Sequence, residues 1–114
     1  MEGQHIVGIP MHISTFQREV LEWVLKNFNV DDPTDPLLGV VEEVGELAHA
    51  ILKQKQGIRG TFEEHEAAAK DAVGDICVYL ADLCGRRGWD LEDIMVETLN
   101  HIKQRDWKAR PTTG

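Results

Sequence analysis

Leu37-Leu38-Gly39-Val40-Val41-Glu42-Glu43-Val44-Gly45-Glu46-Leu47-Ala48-His49-Ala50-Ile51-Leu52 is the stretch that decides the fold. Its apolar residues Leu37, Val40, Val41, Val44, Leu47, Ala48, Ile51 and Leu52 recur at threes and fours, the repeat of an amphipathic helix and not of a strand. The spacing predicts a helix from Leu37 to about Lys55, its stripe in the core and Gly57 as its C-terminal stop. The segment before it, Asp31-Asp32-Pro33-Thr34-Asp35-Pro36, has turn chemistry, and Pro36 suits a first helical turn.

Upstream, Phe16, Val20, Trp23, Val24 and Phe28 mark a first helix over about 14 to 28, with Ser14 and Gln17 in the spacing of a capping box. Downstream, residues 57 to 60 read as a short loop. Thr61 and Glu64 repeat the capping-box pattern, and the longest helix then runs to about Arg87, ended by Gly88. Its middle, Val73, Ile76, Cys77, Val78, Leu80, Ala81, Leu83 and Cys84, is apolar nearly all round, so an adjoining subunit is expected to cover one face. Asp90 caps a fourth helix with the stripe Leu91, Ile94, Met95, Leu99 and Ile102. No alternation at period two competes. The expectation is an all-α protein, a four-helix bundle whose core is completed by oligomerisation. One domain covers 1–114, with an N-terminal arm over 1–13 and a loose tail over 108–114.

Charge and composition narrow the partners. The 114 residues include 20 acidic and 12 basic side chains, a net charge of −8, which opposes a nucleic-acid backbone. A polyphosphate remains open to an acidic protein if a divalent cation stands between the like charges. No run of 18 apolar residues and no basic-then-apolar start argues for a membrane span or export. Cys77 and Cys84, seven apart on one helix, lie roughly 10 Å from each other and cannot pair, so they read as small buried hydrophobes in a reducing cytoplasm.

The acidic residues are patterned. Glu42 and Glu43 each neighbour Glu46 on one helix, and Asp71 and Asp75 stand at i and i+4 on the next, with Gly74 beside them and Tyr79 one turn on. Like charges this close repel, at a few tenths of a kcal/mol per pair. The short 57–60 connection suggests antiparallel helices, which lets Glu43 and Glu46 face Asp71 and Asp75 across a groove. Hard oxygen donors of this kind suit Mg²⁺ or Mn²⁺. The plainer alternative is a solvated acidic face salt-bridged to Lys53, Lys55 or Lys70.

Glu42-Glu43-Val44-Gly45-Glu46-Leu47 followed by Asp71-Ala72-Val73-Gly74-Asp75-Ile76 resembles the paired motif, EExxE then ExxD, of the all-α MazG-type nucleoside triphosphate pyrophosphohydrolases. The resemblance covers about residues 14 to 107. It implies Mg²⁺-dependent cleavage between the α and β phosphates of a nucleoside triphosphate, giving monophosphate and pyrophosphate; the apolar third helix, exposed in a lone chain of four short helices, adds the expectation of a homo-oligomer, either a dimer or a tetramer built as a dimer of dimers. The resemblance also implies that Glu43, Glu46 and Asp75 are metal ligands and that Glu42 orients or deprotonates water. The family pattern has a glutamate where this chain has Ala72, so the fourth ligand role passes to Asp71. Asn100, Lys103, Arg105 and Trp107 are similar to the basic segment that such proteins place near the phosphates.

Base recognition needs an aromatic slot with a few polar groups, for which His12, Phe16, Gln17, Trp23 and Tyr79 are candidates by position. Gln17 and Tyr79 are the better placed, because Phe16 and Trp23 sit on the stripe of the first helix. Glu46-Leu47-Ala48-His49 is an E-x-x-H unit of the di-iron kind, but a second such unit is missing. The reading of a different class is a non-catalytic helical module whose acidic face docks a basic partner.

Overall fold

The computed structural model describes residues 6–28 and 32–114. Among them are four helices and no strand: α1 (Ile13–Asn27), α2 (Thr34–Gln56), α3 (Phe62–Arg87) and α4 (Leu91–Lys103). The all-α expectation holds, and several boundaries lie where local chemistry puts them. Thr61 and Glu64 form a complete capping box, in which Glu64 N–H donates to Thr61 Oγ1 and Thr61 N–H donates to Glu64 Oε1. Asp90 accepts from Asp93 N–H at the start of α4, and Gly57 and Gly88 close α2 and α3 in the left-handed conformation.

The start of α1 departs from expectation. His12 is its N-cap without a side-chain bond. Ser14 N–H donates to Glu92 of α4 instead, and Gln17 is buried and turned inward. The Ser14–Gln17 spacing imitates a capping box, but long-range partners take both residues.

Helices α2 and α3 run antiparallel with a constant register: Gln54 reaches Phe62 and Glu66, and Gly39 lies under the ring of Tyr79. Helix α3 is the hub, touching α1, α2 and α4, whereas α2 touches only α3. The α1–α3 crossing is close because Gly85 leaves room for Leu21. Its core is Val20, Val24 and Ala81, flanked by Phe16, Val78 and Leu91.

That core is small. Trp23 and Phe28 are exposed and meet edge to face at 5.5 Å. Val41, Val44, Ile51 and Leu52 of α2, expected in the core, are all exposed. So are Val73 and Cys77 of α3, while Cys84 alone of the two free thiols is buried. The reason is geometric: α2 has one neighbouring helix, and one neighbour covers only part of a broad stripe. No helix among the described residues is long and apolar enough to cross a membrane. The tail over 108–114, expected to be loose, contains turns held by hydrogen bonds. Asp106 accepts from Ala109 N–H, the Arg110 guanidinium donates to the Gly114 carbonyl, and Gly114 is buried.

Candidate functional site

A cleft of about 530 Å³ opens where the C-terminal end of α1 meets the α2–α3 pair, within the size range of small-molecule sites. Trp23 comes from α1 and Phe28 from its C-cap, Pro36 and Glu43 from α2, and Asp75, Val78, Tyr79, Asp82 and Arg86 from α3. Two of the expected carboxylates therefore share one cleft with an aromatic wall. The other three, Glu42, Glu46 and Asp71, do not line the cleft but stand close enough to act on Glu43.

That proximity is visible in the electrostatics. The Glu43 carboxyl titrates above the usual range, first because it is partly withdrawn from water and then because Asp75, Glu46, Glu42 and Asp71 repel its charge. Tyr79 is raised likewise, by burial first and then by Glu42, Glu43 and Asp75. Among the described residues the ion pairs join Arg18 to Glu22 and Arg86 to Asp82 and Asp35, and none involves these five carboxylates. Lys53 donates to Gln56 instead. The salt-bridged acidic face is therefore not what this groove shows. Gly45 and Gly74 have open space where a side chain would stand, which keeps both walls accessible.

The donor set suits a hard divalent cation: carboxylates from two helices, mutually repelling and without protein cations. No three of them converge on one point among the described residues, so the groove is a facing pair of acidic walls and not a closed cage. Ala72 is buried, 3% exposed, and Asp71 is exposed; on this turn of α3 Asp71 is the carboxylate available to the groove.

The floor of the cleft holds a pair that the sequence reading passed over. Asp82 and Arg86 are i and i+4 on α3, with side chains 7% and 4% exposed. The guanidinium grips both carboxylate oxygens, Nε to Oδ1 at 2.8 Å and NH2 to Oδ2 at 3.2 Å. It also donates to the Asp32 carbonyl at 2.7 Å, and Asp35 lies 4.0 Å away. These bonds fasten the turn before α2 to α3, and Asp32 in turn accepts from Thr34 N–H at 2.8 Å. The signal was an acid-base pair at i, i+4 inside an apolar run, where charged residues stay only if matched.

Other expected site residues lie elsewhere. Gln17 donates to Trp89 O at 2.8 Å and accepts from Leu91 N–H at 2.9 Å; both ends of its amide are engaged at the α3–α4 connection, away from the cleft. His12 and Phe16 border an apolar hollow with Met11, Cys77, Leu91 and Met95, at the opposite end of α1 from the cleft. Trp23, read as core, is a cleft wall. Asn100 lines a shallow groove formed by α4 alone, and Lys103 and Arg105 are exposed beyond it. Within one chain none of these three joins the carboxylates, because α4 docks its first turns at the start of α1 and does not touch α2. His49 is exposed, whereas His65 is buried and bonded through Nε2 to Ile58 O.

Comparison with protein-family models, with curated proteins and with solved structures returned no match to this chain.

Proposed function

We propose that this chain is a Mg²⁺-dependent nucleoside triphosphate pyrophosphohydrolase, cleaving ribo- or deoxynucleoside triphosphates to monophosphate and pyrophosphate as a homo-oligomer in a reducing, cytoplasmic compartment. The observation that carries this reading is the set of five carboxylates on facing walls, without protein cations, bordering an aromatic cleft. The resemblance of Glu42–Glu46 and Asp71–Asp75 to the MazG-type motif supports it.

Glu43, Glu46, Asp71 and Asp75 are the residues that would hold the ion, which when bound neutralises the triphosphate and steadies the charge that develops during displacement. Trp23, Phe28 and Tyr79 give the base flat apolar surfaces to lie against. Arg86 keeps the α1–α2 turn in place as one end of the cleft. Glu42, with Glu43 and Glu46 beside it, orients a water and takes its proton. The water oxygen bonds to the α-phosphorus, the bond from that phosphorus to the α,β-bridging oxygen breaks, and pyrophosphate departs. The role in the cell that fits this chemistry is clearance of unwanted nucleotides from the pool.

The test is release of pyrophosphate from a panel of triphosphates, with Mg²⁺ and with chelator, by wild type and Glu46→Gln. Metal-dependent turnover that disappears in the variant is expected. A folded protein that turns over no triphosphate would instead be a helical module whose acidic face docks a basic partner.

A further inference from the structure

The cleft has two polar ends, and the hydrolysis described above uses one of them. Asp35, Gly39 and Glu43 stand four residues apart on one face of α2, which sets Asp35 and Glu43 about 12 Å from each other along the helix axis. The contact of Gly39 with Tyr79 fixes the register with α3 halfway between them. To one side of it Glu43 faces Asp75. To the other, Asp35 faces Asp82 and Arg86, 4.0 Å from the guanidinium. The remaining lining includes Trp23, Phe28, Pro36 and Val78, which offer flat or apolar surface.

With the phosphates at the Glu43–Asp75 end, the base of a bound nucleotide points toward Asp35. Bases differ there in what their edges donate and accept. Cytosine and adenine present an exocyclic amino group where uracil and hypoxanthine present a carbonyl oxygen. The Asp35 end is built to accept. It sets two carboxylates against one guanidinium, and Arg86 is the single cation among the described residues that line the cleft. Its three nitrogens are all engaged, two by the Asp82 carboxylate and the third by the Asp32 carbonyl. Asp35 differs from Asp82. Its side chain is 69% exposed, and 4.0 Å from Arg86 is an ion-pair distance, longer than a hydrogen bond. Its oxygens keep lone pairs for a group entering the cleft, so an amino N–H meets an acceptor and a carbonyl oxygen meets like charge.

We propose that Asp35 is a specificity-determining residue, and that the substrates are nucleoside triphosphates whose base carries an exocyclic amino group, cytosine or adenine, in preference to uracil or hypoxanthine. The inference rests on the pyrophosphohydrolase reading above, which says which end holds the phosphates. An exposed acceptor discriminates less than a buried one, so the preference expected between otherwise matched substrates is about tenfold in kcat/KM.

The substrates dCTP and dUTP differ at one ring position, amino against keto, and so do dATP and dITP. Pyrophosphate release from all four, with Mg²⁺, is measured for wild type and Asp35→Asn. Wild type should favour the amino member of the pair it turns over faster. An asparagine amide both accepts and donates, so Asp35→Asn should bring the two members to within about twofold, chiefly by raising kcat/KM for the keto member. A carboxylate also suits the first turn of α2. If that is its whole role, the variant lowers both members alike and keeps their ratio, and the inference is overturned. A wild type that treats the two members equally, or favours the keto one, overturns it as well. If a folded protein turns over none of the four, the base end is probed without phosphates. Cytidine and uridine are titrated against the Trp23 indole signal in NMR spectra, identified by its loss in Trp23→Phe. Tighter cytidine binding that Asp35→Asn removes leaves the base preference standing while the enzymatic reading fails. Equal or absent binding overturns the preference too.

Discussion

The phenol ring of Tyr79 lies against the bare backbone of Gly39, so close that a methyl group at position 39 would stand inside the ring. This one contact sets the width of the α2–α3 seam beside the cleft. Gly39→Ala gains up to about 1 kcal/mol of helix propensity, but overpacking of this kind costs about 1–3 kcal/mol. The expected net result is a less stable protein with Tyr79 displaced into the cleft, read as a lower urea midpoint and a raised KM. An unchanged midpoint would mean that the ring moves aside freely.

Tyr79 is the chain's single tyrosine, so its ionisation can be followed by ultraviolet difference absorbance without interference. Its native pKa lies above the ordinary phenol value, with burial as the largest cause and Glu42, Glu43 and Asp75 adding to it. The folded state therefore keeps this proton longer than the unfolded state does. The associated stability is complete below the unfolded pKa, near 10, and is lost as pH rises through the native one. Asp75→Asn should bring the titration down part of the way and leave the burial component. A midpoint unmoved by Asp75→Asn would separate Asp75 from the ring.

Arg86→Ala leaves Asp82 buried without its partner, a loss of about 3–5 kcal/mol, together with the tie to the Asp32 carbonyl. Arg86→Lys should recover little, since one ammonium cannot grip both carboxylate oxygens and the carbonyl as the planar fork does. Replacing Asp82 and Arg86 together by leucine should cost less than Arg86→Ala alone, because no uncompensated charge is then left inside. Chemical denaturation of the three variants checks the order.

Gln17→Glu keeps the shape and the acceptor but removes the donor to Trp89 O. A carboxylate facing a carbonyl is unfavourable, and an unmet buried group costs about 1–3 kcal/mol. The expected loss is in thermal stability, with KM for any triphosphate unchanged. A variant that keeps its stability and raises KM would return Gln17 to the substrate.

What the sequence made legible is what is local. Thr61 with Glu64, Asp90, Gly57 and Gly88 act within a turn of themselves, and the helices end accordingly. The antiparallel α2–α3 pair follows from a short connection, and with it the meeting of Glu43 and Asp75. Periodicity, however, reports that Val41, Val44 and Ile51 share a face and says nothing of what covers that face, so residues read as core stand in solvent. Gln17 and Ser14 obeyed a local pattern while serving partners more than 70 positions away. Trp23 looked like core because it lies on the α1 stripe, yet it is exposed and lines the cleft. Asp82 and Arg86 were discoverable as a charged pair within an apolar run.

The same distinction orders events in time. Helices α2 and α3 are joined by a short connection and meet in register, so closing that hairpin costs little chain entropy, and such local pairings form within microseconds to milliseconds. The bond from Leu91 N–H to Gln17 spans 74 positions and can form only when most of the chain is already in place. The hairpin that bears the acidic groove is thus the part able to assemble first and alone, while the junction of α1 with α4 must wait for it. The acidic groove is housed in the earliest structure the chain can make, and the aromatic wall that α1 adds to it is among the last parts to arrive.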